Sequence, residues 1–283
     1  MLSANRLLVP VDFSERSAAA ARYAKTFGSH FHSQMTLLHV LPPAHYPAVP
    51  LMEAGATMRD ALFAARASEV QKELDSFLAE EFPDTDVTRI VLEGDPAPTI
   101  VDYAHSEKVD LIAMPTHGYG PFRRFLLGSV AAKVLHDADC PVLTGVHLEE
   151  APPAESIHSG EILCAVGLGP QSGGVLAWAA RAAGEFDARL TLVHAIPRLE
   201  AYNGEYFDPN WRTLLANIAA EQIEKLQQSV GTRAEVFIED GDIARVVRCA
   251  ALRRRAALLV IGRGSAQGII GRLRTHSYAI LRE

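Results

Sequence analysis

The chain has 283 residues, of which 48% are hydrophobic and 22% charged, the proportions of a globular protein with a substantial core. A net charge of -7 and an isoelectric point of about 5.9 argue against nucleic acid or an anionic membrane as the main partner. The three cysteines lie far apart, which argues against a disulfide framework and a cysteine metal site. With no secretory leader and no apolar run that could span a bilayer, the sequence predicts a cytoplasmic protein.

Short apolar runs alternate with helical stretches along the first half of the chain. Strands are predicted at residues 7–11, 36–42, 110–114 and 140–146, and helices from Glu15 onward, at 59–82 and at 97–106. Ser14 precedes the first helix and is its predicted N-cap. Continuous apolar runs of this length are typical of a parallel sheet that is covered on both faces.

The same unit returns in the second half of the chain. Strands are predicted there at residues 162–166, 191–197 and 258–261, and long helices at 210–230 and 243–254. Val11 matches Val166 and His39 matches His194 at an offset of 155, while Gly94 matches Gly241 at an offset of 147. The change of offset predicts a shortening of 8 residues within the second copy, and self-similarity on this scale predicts tandem domains.

The repeat places the predicted domains at residues 1–147 and 161–283. A segment rich in proline, glutamate and serine joins them and is predicted to be a linker, at residues 148–160. The second copy stops at residues 280–283, where its own last strand should begin. Either the chain ends early or the second copy is degenerate.

Alternating strands and helices predict an α/β protein with two doubly wound parallel-sheet domains, the second lacking its last strand in this chain. In such sheets, ligands bind at the carboxyl ends of the strands, near the point where the strand order reverses. Asp12 follows the first strand, and a long loop follows Met114. Both therefore fall at the edge where a ligand is expected.

The stretch from Met114 to Ser129 contains the strongest indication of a binding site. A buried strand leads into a loop with Gly118 and Gly120, and Gly128 precedes a predicted helix start at Ser129. Backbone N–H groups at a helix N-terminus carry the positive end of the helix dipole, and glycine allows an anion to approach the backbone. The loop therefore predicts a phosphate site.

Together these motifs resemble the universal stress protein family in its tandem-domain form, over nearly the whole chain. The marks that carry the resemblance are the segments 9–14, 36–40, 94–96, 118–129 and 140–143. The resemblance implies the adenine nucleotide alpha hydrolase-like fold. In the ATP-binding branch of this family, an aspartate after the first strand contacts adenosine, and a glycine loop that ends in Gly-Ser or Gly-Thr wraps the phosphates.

The resemblance assigns a set of nucleotide-binding residues to the first domain: Val11, Asp12, Val40, Met114, Gly118, Gly120, Gly128, Ser129 and Val130. The first domain departs from the family pattern at Pro121, which stands where a glycine is expected and has no N–H to donate. In the second domain, Gly167 stands in the place of Asp12, and Arg274 and Thr275 replace the Gly-Ser pair. We therefore expect one nucleotide site, in the first domain.

The resemblance implies a stress protein that binds ATP, with Mg²⁺ on its phosphates, and that is at most a slow ATPase. Family members often pair through their last strand, so a homo-oligomer or an intrachain pseudo-dimer is expected. The alternative is an interaction module without nucleotide, in which both loops are structural and assembly uses a sheet edge. Pro121, Gly167 and Arg274 favour this alternative.

Other polar residues have simpler explanations in the sequence. His39 and His194 occupy equivalent strand ends and are predicted to be structural, because no metal-ligating partner lies at a suitable spacing. His117 has no identifiable orienting carboxylate, which weakens its interpretation as a general base. Arg123 and Arg124 are predicted to lie in a solvated loop, and the arginine run at 253–255 to form the solvated end of a helix.

Overall fold

The computed structural model describes residues 4–43, 56–82, 87–117, 127–145, 157–196, 210–263 and 280. The chain divides into two compact units, with the division between residues 151 and 152. Each unit contains one sheet whose described strands are all parallel. Both units confirm the predicted α/β class.

The first unit holds a five-stranded sheet in the order β3-β2-β1-β4-β5. Its elements are β1 (Arg6–Pro10), α1 (Glu15–Phe31), β2 (Gln34–Leu41), α2 (Ala56–Ser76), β3 (Val87–Glu93), α3 (Pro96–Ser106), β4 (Leu111–Ala113), α4 (Ser129–Asp137) and β5 (Val142–Leu143). The chain adds strands first on one side of β1 and then on the other. The strand order therefore reverses between β1 and β4, as in other doubly wound sheets.

The second unit repeats this order with four described strands, β8-β7-β6-β9. Its elements are β6 (Glu161–Ala165), α5 (Ser172–Glu185), β7 (Arg189–Ile196), α6 (Asn210–Val230), β8 (Glu235–Asp240), α7 (Ile243–Arg254) and β9 (Leu258–Ile261). The bounds of α6 and α7 coincide with the predicted helices. The first strand of each unit, β1 or β6, therefore lies inside its sheet between two neighbouring strands.

The central strand β1 explains why its sequence is apolar without alternation. Leu7, Leu8 and Val9 are all at most 2% exposed, because successive side chains point to opposite faces and both faces are covered. Leu8 belongs to the core formed with α3 and α4, whereas the Leu7 side chain lies against Gly28 of α1. Burial of this strand therefore fixes the position of the residues that follow it.

The long helix of the first unit is shorter than the sequence indicated. It ends at Ser76 and not at Phe82, because Leu78 adopts the left-handed conformation with φ 54° and turns the chain. Phe82 still reaches the core, where it is 1% exposed. Residues 77–86 connect α2 to β3, but only residues 231–234 connect α6 to β8, so most of the shortening of the second copy lies in this connection.

Two segments pack more closely than their composition suggested. Ile157 lies within the predicted linker and yet is 0% exposed, and His158 lies edge-on against the ring of Phe186. The prediction that the arginine run at 253–255 is solvated is wrong for Arg254, whose side chain is 25% exposed and is held against Glu161.

None of the described helices is long and apolar enough to cross a membrane.

Candidate functional site

The candidate site of the first unit lies at the carboxyl ends of β1 and β4. These strands pair in parallel, with Leu7 opposite Leu111, so the residues that follow them emerge at the same edge of the sheet. Asp12 follows β1, and Met114 to His117 follow β4. This is the switch point at which doubly wound sheets bind ligands.

Asp12 is held in a tight turn that also starts α1. Its Oδ1 accepts hydrogen bonds from the backbone N–H of Ser14 at 3.1 Å and from the Ser14 hydroxyl at 2.5 Å. The Ser14 Oγ in turn accepts the N–H of Ser17 at 3.1 Å, which confirms Ser14 as the N-cap. The carboxylate therefore belongs to a fixed chain of hydrogen bonds that orients it at the strand end.

An aromatic contact fixes the residue between Asp12 and Ser14. Phe13 has φ 62°, a left-handed conformation that is unfavourable for a bulky side chain. Its ring stacks on the imidazole of His39 with centroids 4.5 Å apart and meets Phe77 edge-on at 5.6 Å. These contacts stabilise the strained turn and hence the position of Asp12.

We expect replacement of Ser14 by alanine to lower the free energy of unfolding by about 1 kcal/mol, because the cap of α1 is lost. The same change removes the hydroxyl that orients Asp12. Urea unfolding measures the effect, with Ser29→Ala as the control. Ser29 lies in the last turns of α1, where its hydroxyl bonds to the carbonyl of Thr26. Equal stability losses in both variants would contradict the capping role.

The N-terminus of α4 lies on the other side of the site. The first helical hydrogen bond runs from the N–H of Ala132 to the carbonyl of Gly128, so the N–H groups of Ser129, Val130 and Ala131 precede the helical ladder. The predicted helix start at Ser129 is confirmed. An anion at this end would meet the positive end of the helix dipole.

Close packing against the end of β4 explains why residue 128 is a glycine. Its N–H donates to the carbonyl of Thr116 at 2.8 Å, and a Cβ at this position would lie 3.2 Å from the same oxygen. Its φ of -62° is open to any residue. The close approach of α4 to the end of β4 therefore favours glycine here even without a ligand.

Three of the predicted site residues are buried apolar residues at this edge. Val11, Val40 and Met114 are between 5% and 7% exposed. The N–H of Val11 bonds to the carbonyl of Leu38, and that of Met114 bonds to the carbonyl of Leu143. Together with Asp12 and the start of α4, the described residues offer a buried apolar surface, a carboxylate and a helix N-terminus within one strand-end region.

The predicted loop residues Gly118 and Gly120 lie outside the described residues, as do Pro121, Arg123 and Arg124. Their part in a site stays a prediction. The same holds for Arg274 and Thr275 of the second copy.

The second unit provides an internal comparison. His39 donates its Nδ1–H to the carbonyl of Val11 at 2.8 Å, and His194 does the same to Val166 at 2.8 Å. The strand-end histidine is therefore part of the shared scaffold, as predicted. The two units differ at the residue after the valine that accepts this bond. It is Asp12 in the first unit and Gly167 in the second, where a Cβ would lie in open space.

Sequence reasoning missed the importance of Thr116 and underestimated His117. Thr116 is 2% exposed, and its hydroxyl is hydrogen-bonded to the Nδ1 of His117 at 2.8 Å. Burial and the nearby Arg16 guanidinium lower the pKa of His117. Sequence spacing could not have revealed the effect of Arg16 on His117, because the two residues are 101 positions apart in the sequence.

Within the described ranges, no group of histidine, cysteine, aspartate or glutamate residues could hold a metal ion.

This arrangement defines a class of protein: tandem parallel α/β domains, the first with its strand order reversing between β1 and β4. The universal stress protein family matches the sequence twice, over residues 4–144 and 159–279. Since the two matches cover most of the chain, it belongs to the universal stress protein family, in tandem form.

Individual relatives match one domain at a time. A universal stress protein of Methanocaldococcus jannaschii is 33% identical over 138 residues, which are 49% of this chain and 79% of that protein. A universal stress protein of Thermus aquaticus is 31% identical over 138 residues, 48% of this chain and 95% of that protein. These identities are typical of distant members of one family.

Solved structures match the whole chain. A universal stress protein from Archaeoglobus fulgidus has a TM-score of 0.67 at 20% identity and covers 99% of this chain and 96% of its own. A protein of unknown function from Pseudomonas aeruginosa has a TM-score of 0.63 at 20% identity and covers 99% and 89%. At these identities the likeness shows the fold.

Proposed function

We propose that the first domain binds ATP at the carboxyl ends of β1 and β4 and holds it with little or no hydrolysis. The observation that carries the proposal is the orientation of the Asp12 carboxylate by Ser14 at the switch point. In this proposal the carboxylate receives hydrogen bonds from the adenosine hydroxyls. The buried side chains of Val11, Val40 and Met114 border the base.

The start of α4 is the proposed phosphate end of the site. Ser129 and Val130 supply N–H groups, and the Ser129 side chain is exposed and adds a hydroxyl. Magnesium would arrive on the nucleotide phosphates, because the described residues form no metal cluster of their own. Slow or absent hydrolysis follows from the lack of an assigned base that positions water among the described residues.

The second candidate function is an interaction module without nucleotide. The observation in its favour is Gly128, whose identity the contact with Thr116 explains without a ligand. In that case the turn at Asp12 would serve only to start α1. The two candidates differ in whether the purified protein takes up ATP. Pairing of domains or chains and a cytoplasmic location stay predictions under either one.

Calorimetric titration with ATP and Mg²⁺ tests the proposal. We expect one nucleotide per chain, and Asp12→Ala should weaken binding at least tenfold, because hydrogen bonds to a charged group are lost. Asp139→Ala is the matched control, since this exposed carboxylate of the same domain pairs, among the described residues, with the surface residue His105. Absence of heat and of thermal stabilisation at millimolar ATP in the unchanged protein would reject the proposal.

A further inference from the structure

His117 carries a buried polar atom that the described part of the protein leaves unpaired. Its Nδ1 is hydrogen-bonded to the Thr116 hydroxyl, whereas its Nε2 is buried and has no hydrogen-bond partner. Buried polar atoms in native proteins are nearly always paired, so an orphan at a strand end calls for a ligand or water. The ring as a whole is part-buried, and only this nitrogen lacks a partner.

The surroundings of the ring favour a negatively charged occupant. The carbonyl of Thr116 accepts the N–H of Gly128, which holds His117 beside the first turn of α4 and the positive end of its dipole. Arg16, in the first turn of α1, also acts electrostatically on the imidazole and lowers its pKa. The surroundings of His117 therefore include two positive influences, the start of α4 and Arg16.

We propose that His117 binds the ligand of the first domain directly, with Nε2–H donating a hydrogen bond to a phosphate oxygen. The inference rests on the proposed function and adds a phosphate-binding residue to it. In this proposal the Thr116 hydroxyl donates to Nδ1, and the ring proton therefore lies on Nε2. Burial and Arg16 lower the pKa of His117, which favours the neutral ring.

Two substitutions separate the two ring nitrogens. The amide of asparagine reaches the position of Nδ1, and that of glutamine reaches the position of Nε2. His117→Asn therefore keeps the bond to Thr116 and removes the ligand contact, whereas His117→Gln keeps a donor where the ligand lies. We expect His117→Asn to weaken ATP binding about tenfold, the worth of one hydrogen bond to a charged oxygen, and His117→Gln to weaken it less than threefold.

Adenosine and inorganic tripolyphosphate identify which part of the nucleotide His117 contacts. Adenosine should bind equally to the unchanged protein and to His117→Asn, because it lacks the phosphates. Tripolyphosphate should raise the pKa of His117 in the unchanged protein, measured from its ring resonances by NMR. His105→Asn is the control for removal of an exposed histidine.

The outcomes distinguish a failure of the His117 inference from a failure of the proposed ATP binding. Equal ATP affinity in His117→Asn and the unchanged protein would overturn the inference and leave the proposed function standing. Equal losses for ATP and adenosine would also overturn it, because they would show a structural role. If the unchanged protein takes up no ATP, the proposed function fails, and the tripolyphosphate titration decides the inference alone. That titration also decides it if His117→Asn does not fold.

Discussion

Replacement of Arg254 by methionine is expected to lower the free energy of unfolding by about 2–3 kcal/mol. Arg254 lies at the end of α7, and its Nε is 2.9 Å from the Oε1 of Glu161, whose side chain is only 11% exposed. The guanidinium also contacts Glu235 and lies 4.6 Å from the ring centre of Phe237. Its removal leaves a nearly buried carboxylate without its main positive partner.

The neighbouring Arg253 is the matched control for this prediction. Its side chain is 59% exposed, and its partner Glu239 is 33% exposed, so Arg253→Met should cost at most about 1 kcal/mol. Urea unfolding of the full chain measures both variants. The double variant of Glu161→Gln and Arg254→Met should be more stable than Arg254→Met alone, because the nearly buried charge that loses Arg254 is then absent and only the exposed, more distant Arg189 loses a partner. Equal losses for the two arginines would refute the role of burial.

The first domain joins the equivalent positions by a different hydrogen bond, in which the acceptor is a backbone carbonyl. Arg6 matches Glu161 at the offset of 155, and Glu107 matches Arg254 at the offset of 147. The Arg6 guanidinium donates to the backbone carbonyl of Glu107. In both domains an arginine therefore joins the beginning of the first strand to the end of the helix before the fourth strand, but only the second domain uses an ion pair for this.

The repeat in the sequence predicted the fold because the two copies constrain each other. The apolar run of β1 alone indicates a strand. The matching run at β6, together with the equal spacing from these runs to His39 and His194, also predicts the next strands, β2 and β7. Local capping chemistry was also predictable, since Ser14 before Glu15 indicates a helix start. The structure confirms both.

Tertiary contacts account for what the sequence did not predict. The helix α2 ends early because Leu78 turns the chain, although leucine favours helices and gives no signal of a left-handed conformation. Arg254 is drawn inward by Glu161, which is 93 positions away in the sequence. The orientation of Asp12 by Ser14 was also not predicted, because Ser14 was interpreted only as the N-cap of α1. A serine two positions after an aspartate is nevertheless a sequence signal for such a turn.

Gly94→Ala is expected to lower the free energy of unfolding by about 2 kcal/mol, because its backbone has φ 156°, a region nearly restricted to glycine. An added Cβ would also lie 2.2 Å from the Oγ1 of Thr99, and the side chain of Thr99 would have to rotate away. The N–H of Gly94 bonds to the carbonyl of Leu41, so the strained residue joins the ends of β2 and β3 before α3 begins.

Two further glycines turn this prediction into a controlled comparison. Gly241 occupies the equivalent place in the second domain, with φ 153° and its N–H bonded to Ile196, so Gly241→Ala should be destabilising by a similar amount. Gly184 lies in α5 with open space around it, and Gly184→Ala should stabilise by up to about 1 kcal/mol through helix propensity. Thermal unfolding compares the stabilities of the three variants, and Gly184→Ala should unfold at the highest temperature. If Gly94→Ala proved as stable as Gly184→Ala, the backbone at residue 94 would be free to relax, and the strand-end bond to Leu41 would not require glycine.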